Sequence, residues 1–191
     1  MSFSRDDAYE MVCEFVKNQN LRNHMLAVEA CMRYYAQQLA PQDIEKWQIA
    51  GLLHDFDWEI HPTLEGHPQL GEPIMRERQV PEEIIRAVLS HAEHTGVKRE
   101  SQMEKALFAC DEITGLVTAV ALVRPSKSIM DMTVSSVKKK WKNLNFAAGA
   151  NRDEMEQGAQ EFGVELWQHV DNVITAMRTI APELGLAGTS E

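Results

Sequence analysis

The stretch of sequence that decides the fold is LLHDFDW, residues 52–58. It follows a helical pattern that begins at Asp43, a residue suited to an N-cap, and runs to His54. Successive residues of a helix point about 100° apart, so His54 and Asp55 can hold one ion only where a helix ends at them. Aromatic and turn residues follow at once, and residues 56–68 are predicted to form an irregular loop. The sequence therefore predicts a helix end, and with it a candidate metal site, at this point.

Outward from this stretch, the hydrophobic pattern is helical along nearly the whole chain. Apolar residues recur at three-four spacing, and no alternation of apolar and polar residues is long enough for a strand. The first three helices are predicted near 5–18, near 21–39 and at 43–54. A fourth is predicted to end near Gln79, a fifth to begin at Pro81, and a sixth to begin at the capping box of Ser101 and Glu104. Further helices are predicted at 128–140, from Asn151, and along Phe162, Leu166, Val170, Ile174 and Met177. The fold class is therefore all-α. No repeat or linker divides the chain, which predicts a single domain over residues 1–191.

Composition narrows the class of protein. The chain has 191 residues, of which 44% are hydrophobic and 25% charged, as in an ordinary globular domain. Its three cysteines form no CxxC pair, and no apolar run approaches the roughly 18–20 residues of a membrane helix. We therefore expect a cytoplasmic protein that does not enter the membrane. The net charge of −10 argues against nucleic acid as a partner.

The positions of the histidines are the most informative feature. Six of the seven lie between residues 24 and 94. On the predicted helices, His24, His54 and His91 face inward, and Asp111 does so on the most apolar helix. A buried carboxylate is costly unless it is paired or binds a cation. Any one inward histidine is more often a hydrogen-bonded core residue, but the four side chains together favour a metal site. The remaining histidine, His169, lies off its helix's apolar stripe and is predicted to be exposed.

In order and spacing, His24, His54-Asp55 and Asp111 resemble the HD superfamily of metal-dependent phosphohydrolases, which have an all-helical fold. The resemblance covers a motif core at about 20–125 and leaves a C-terminal helical extension at about 126–185. The element His67-Pro-Gln-Leu-Gly71 and the helix before His91 are similar to those of HD proteins that hold two metals. The whole chain looks closest to a bacterial group of HD hydrolases.

The chain departs from the common HD pattern at two places. HDFDW, residues 54–58, replaces the common HDIGK, so the lysine of that signature is missing. Ser90-His91 stands where HD-GYP proteins have a His-His pair, and the GYP signature is absent. These departures argue against hydrolysis of cyclic di-GMP.

The resemblance implies two metal ions that share one carboxylate. The first would be bound by His24, His54, Asp55 and Asp111. The second would be bound by His67, His91 and, as a bridge, Asp55. Such imidazole-rich ligation suits iron, manganese, zinc, cobalt or nickel better than magnesium.

The reaction expected of such a centre is hydrolysis of a phosphomonoester or phosphodiester. Asp55 would then be catalytic as well as a ligand. His94, one turn beyond His91 on the same predicted helix face, is a candidate proton donor, as are His61 and Asp57 in the loop. For His94 the alternative is a favourable interaction with the helix dipole at the C-terminal end.

The substrate expected is a small phosphorylated molecule, possibly a nucleotide. Residues 124–142 carry six cations against one anion and are the candidate binding segment. Its proposed phosphate-binding residues are Arg124, Lys127, Lys138, Lys139 and Lys140. A solvated basic helix face is the alternative for this segment. For the whole protein, the alternatives to a phosphohydrolase are a diiron HD-fold oxygenase and a non-catalytic sensor that binds metal and nucleotide.

Overall fold

The structure, a computed structural model, describes residues 3–188. Over this range the chain forms nine α-helices, one short 3-10 turn at Glu93–Thr95 and no β-strand, which confirms the all-α fold class. The helices are α1 (Arg5–Phe15), α2 (Gln19–Leu39), α3 (Ile44–Leu53), α4 (Glu72–Glu77), α5 (Glu82–Ser90), α6 (Gln102–Leu122), α7 (Val134–Trp141), α8 (Arg152–Phe162) and α9 (Leu166–Arg178).

The chain is divided into two compact units between Phe108 and Ala109. The first contains α1 to α5 and the start of α6. The second contains the rest of α6 and α7 to α9. A single domain over residues 1–191, with a motif core at about 20–125 and an extension at about 126–185, stays a prediction.

Two of the helix starts follow from predicted capping residues. The Glu104 side chain accepts from the Ser101 amide at 2.8 Å, and the Ser101 hydroxyl accepts from the Glu104 amide at 3.2 Å, so the predicted capping box opens α6. The Asn151 side chain accepts from two amides in the first turn of α8. The predicted last helix is wrong in one respect. Phe162 belongs to α8, because Gly163 takes a positive φ of 79° and ends that helix before α9 begins.

No helix within residues 3–188 combines the length and the apolar character that crossing a bilayer requires. All three cysteines are free thiols, of which Cys31 and Cys110 are buried. A cytoplasmic location stays a prediction.

The first unit is built around α3, which packs against α1, α2 and α5. Gly51, in α3, allows α2 to approach α3 closely. A Cβ at this position would lie 2.9 Å from both the Cα and the amide nitrogen of Glu29 in α2. Glu29 is itself held in place by a two-pronged ion pair with Arg5, at 2.7 and 2.9 Å. This close approach brings the helix that carries His24 alongside the helix that ends at His54.

Gly51→Ala is therefore expected to destabilise the protein. The added methyl group meets backbone atoms, which have little room to move, so we expect the free energy of unfolding to fall by about 1–3 kcal/mol. Gly115→Ala is the matched control. It lies within α6, where a Cβ would meet nothing within 4 Å, and alanine there is expected to stabilise by about 0.5–1 kcal/mol. Urea unfolding of the two variants should give shifts of opposite sign, and equal shifts would contradict the packing argument.

Candidate metal centre

Five of the six predicted metal ligands converge in the first unit from four parts of the chain: α2, the end of α3, the loop that follows it, and the end of α5. They are His24, His54, Asp55, His67 and His91. They form two overlapping groups, His24–His54–Asp55 and Asp55–His67–His91, and within each group the possible ligand atoms lie within 4.8 Å of one another. Asp55 belongs to both groups.

The Asp55 carboxylate lies between two pairs of histidines. Its Oδ2 is 3.7 Å from His24 Nε2 and 3.6 Å from His54 Nε2. Its Oδ1 is 3.2 Å from His67 Nε2 and 3.8 Å from His91 Nε2. Each oxygen thus faces one pair of imidazole nitrogens, which is the arrangement needed for a carboxylate that bridges two cations.

Two of the histidines stand at helix ends. α3 ends at Leu53 and α5 at Ser90, and the residues that follow, His54 and His91, are their C-caps. His54 Nδ1 donates to the Gly51 carbonyl at 2.8 Å, and His91 Nδ1 donates to the Val88 carbonyl. The predicted helix end at His54 is confirmed. Both helices bring their electronegative C-terminal ends to the cluster, which favours a cation there.

The hydrogen bonds also decide which ring nitrogens carry protons. A carbonyl oxygen can only accept, so Nδ1 of His54 and of His91 is the protonated nitrogen, and Nε2 of each neutral ring presents a lone pair. His67 Nδ1 likewise donates to Asp57 Oδ1 at 2.7 Å. His67 Nε2 and His91 Nε2 are then 3.2 Å apart, and His24 Nε2 and His54 Nε2 are 3.1 Å apart. In the neutral rings, the Nε2 lone pairs of His67 and His91 repel each other at this distance unless a positive charge lies beside them, so this pair fits a metal cation.

The pKa of His67 also indicates that the cluster favours a positive charge. Burial lowers the pKa of His67, but its hydrogen bonds to Asp55 and Asp57 outweigh burial and raise the pKa to about 9. In the metal-free protein the site thus draws a proton to the place where a cation would bind. Binding of a metal would displace that proton.

Asp57 has a role that the sequence did not reveal. The sequence predicts it only as a proton donor, yet its side chain is fully buried and accepts from His67. The signal available in the sequence is a carboxylate placed between Phe56 and Trp58, two residues after Asp55. A charged side chain between two large aromatic residues is costly to bury without a partner.

The two histidines among the predicted proton donors, His94 and His61, lie in different surroundings. His94 is not on the face of α5, as predicted, but in the 3-10 turn after it. α5 ends earlier because two side chains donate hydrogen bonds to its last carbonyls. The Ser90 hydroxyl donates to the Ala87 carbonyl, and His91 Nδ1 donates to the Val88 carbonyl. His94 Nε2 donates to the His67 backbone carbonyl at 2.7 Å. The His61 ring is half-buried in the loop and makes no hydrogen bond with the described residues.

The sixth predicted ligand, Asp111, lies half-buried in the part of α6 that belongs to the second unit. Its carbonyl accepts from the Thr114 hydroxyl at 2.7 Å. Its place in the metal centre stays a prediction.

Three of the predicted phosphate-binding cations in the basic segment, residues 124–142, contact other side chains of the second unit. Arg124 pairs with Asp131 at 2.6 Å, Lys138 lies 4.8 Å from the ring centre of Trp167, and Lys140 lies 5.1 Å from that of Phe146. The other two cations of the predicted set are exposed and form no ion pair within residues 3–188. These are Lys127 and Lys139.

Comparison with known proteins identifies a family. The model of the HD domain family matches residues 21–116, which is half of the chain and includes all six predicted metal ligands. No curated protein and no solved structure gives a significant match. On the extent of the family match, the chain belongs to the HD domain family.

Proposed function

We propose that the protein is a phosphohydrolase that uses two divalent transition-metal ions. Membership of the HD family supports metal-dependent phosphoester hydrolysis as the class of reaction. The observation that carries the two-ion form is the position of Asp55, whose two oxygens face different pairs of histidines.

Two ligand sets follow from this position. The first ion would be held by His24, His54 and Asp55, with Asp111 added on the family resemblance. The second would be held by Asp55, His67 and His91. Four imidazoles favour iron, manganese, zinc, cobalt or nickel over magnesium. When bound, such ions activate a water molecule as the nucleophile and offset negative charge on the phosphoryl oxygens.

The protein must also supply a proton to the leaving oxygen. We assign this role to His61, whose half-buried ring makes no hydrogen bond with the described residues. His94 donates from Nε2 to the His67 carbonyl, so it is better suited to holding the loop that carries His67.

The proposed substrate is a small phosphorylated molecule, with nucleotides as the leading class. Arg124, Lys127, Lys138, Lys139 and Lys140 remain the proposed phosphate-binding residues. Among them, Lys127 and Lys139 have no ion-pair partner within the described part of the chain and are the best placed to meet an anion from solution.

Lys139→Ala is expected to raise KM for the substrate by up to about fivefold, because an exposed ion pair contributes at most about 1 kcal/mol. Metal content and kcat should stay at wild-type values. Lys98→Ala removes an equally exposed lysine from outside the basic segment and should change none of these quantities. Equal KM values for the two variants would remove Lys139 from the binding site.

The experiment that tests the proposed function is metal analysis of protein purified without chelator, followed by assays with manganese, iron, cobalt, nickel, zinc and magnesium added back. The assays would cover phosphomonoesters, phosphodiesters and nucleotides. About two equivalents of metal with release of phosphate or nucleotide product supports the proposal. Two irons with oxygen consumption and no hydrolysis would overturn it in favour of an oxygenase. Tight nucleotide binding without turnover would overturn it in favour of a sensor, and absence of bound metal would overturn it outright.

A further inference from the structure

We infer that Asp57 is a positioning residue for the second metal ion: it orients His67 and places a negative charge behind that ring. The inference rests on the two-ion function proposed above. Asp57 lies outside the proposed ligand sets. The inference predicts that the affinity for the second ion depends on Asp57 and that the affinity for the first ion does not.

The hydrogen-bond acceptor behind His67 differs from those behind His54 and His91. The Nδ1 atoms of His54 and His91 each donate to a neutral backbone carbonyl, three residues earlier in the same helix. His67 Nδ1 donates to the carboxylate of Asp57 at 2.7 Å. A carboxylate behind a ligand histidine fixes its tautomer and makes the opposite nitrogen a stronger donor to a metal.

The four candidate ligand histidines are held in place in different ways. His24 lies within α2, and His54 and His91 cap α3 and α5, so helices fix their backbones. His67 belongs to the loop between α3 and α4 and needs other restraints. Asp57 holds its ring, and His94 donates to its backbone carbonyl at 2.7 Å.

The Asp57 carboxylate lies in an environment that favours a nearby positive charge. Its side chain is fully buried, and Oδ2 has no hydrogen-bond partner among the described residues. An ionised oxygen in this state is costly unless positive charge lies nearby. A metal ion bound to His67 would provide that charge through the ring.

The loop also leaves space for the Asp57 carboxylate. A Cβ at Gly71 would lie 2.8 Å from both Cγ and Oδ2 of Asp57. Gly71 has an ordinary helical φ of −75°, so its backbone conformation does not require glycine. The glycine of the His67-Pro-Gln-Leu-Gly71 element is therefore needed for space beside Asp57.

The test is a titration of metal-free protein with Mn²⁺, with stoichiometry and both affinities measured by calorimetry and by the electron paramagnetic resonance of free Mn²⁺. Asp57→Ala removes the carboxylate, and Asp57→Asn keeps an oxygen that can accept from His67 but removes the charge. We expect Asp57→Ala to weaken the second ion by about 10–100-fold and to leave the first within about twofold of wild type. Asp57→Asn should fall between the two. Glu65→Gln, an exposed carboxylate of the same loop, is the charge-matched control and should titrate as wild type.

The outcomes separate this inference from the proposed function. Second-ion affinity in Asp57→Ala within about twofold of wild type, or equal weakening of both ions, would overturn the positioning role. Wild-type protein that binds fewer than two ions would instead overturn the two-ion function. If Asp57→Ala does not fold, Gly71→Ala keeps every charge but displaces the carboxylate, and it should also weaken the second ion alone. Unchanged binding in that variant would count against Asp57.

Discussion

Asp55→Ala is expected to release both metal ions and to lower kcat/KM by about 10³-fold or more. Each of the two proposed ions would lose a ligand, because each carboxylate oxygen faces a different pair of histidines. Metal ions contribute several kcal/mol to transition-state stabilisation in hydrolysis, and about 4 kcal/mol corresponds to a thousandfold change in rate. Metal per chain by mass spectrometry and hydrolysis of the best substrate are the measurements.

Two comparisons make this expectation specific to a bridging carboxylate. His91→Ala removes a ligand from one group only, so it should cost one ion where Asp55→Ala costs two. Glu65→Ala removes an exposed carboxylate nearby and should retain both ions. Full metal occupancy in Asp55→Ala would refute the bridging role, and loss of a single ion would assign Asp55 to one site.

The second large effect is a dependence of stability on pH that arises from His169 in the second unit. This side chain is fully buried, and its Nε2 donates to the Ala109 carbonyl at 2.7 Å. Burial lowers the pKa of His169 to about 4, and the hydrogen bond to Ala109 only partly opposes it. The folded protein therefore holds this ring neutral, whereas the unfolded chain takes up a proton as the pH falls below about 6.5. The stability contributed by the neutral ring is fully present above that pH and is lost as the pH falls toward 4, by about 3 kcal/mol.

His169→Gln isolates this contribution from the other groups that titrate in acid. Its side-chain amide can donate to the same carbonyl and does not titrate. Urea unfolding of both proteins from pH 7.5 to pH 4 should show wild type losing about 3 kcal/mol more than the variant. Curves that stay parallel over this range would contradict a neutral buried imidazole, as would a normal pKa for His169 in an NMR titration.

The parts of the site that lie on helices could be predicted from the sequence. The three-four spacing of apolar residues defines which side of a helix is buried, and this was sufficient to predict that His24, His54 and His91 point inward. The end of α3 was also predictable, because aromatic and turn residues follow His54 directly. These are local properties that the sequence expresses within one or two helical turns.

The parts that depend on side chains meeting across a loop could not be predicted in this way. The hydrogen bond between Asp57 and His67 joins residues ten apart in a segment without periodicity. His94 was expected on α5, but Ser90 and His91 end that helix through their own side chains. The sequence predicts an exposed His169, but its side chain is buried and its hydrogen-bond partner is a backbone carbonyl sixty residues earlier. A hydrophobic pattern contains no information on such acceptors.

The histidines that end α3 and α5 would also limit how the metal preference of the proposed centre can be changed. A cysteine or aspartate in place of His54 or His91 would still offer a ligand atom, and a change of ligand type is a usual way to change which metal a site selects. Unlike histidine, cysteine and aspartate have no ring nitrogen that could donate to the carbonyl of Gly51 or Val88. Such an exchange would leave the helix end without this donor, so at these two positions coordination and helix termination cannot be altered independently.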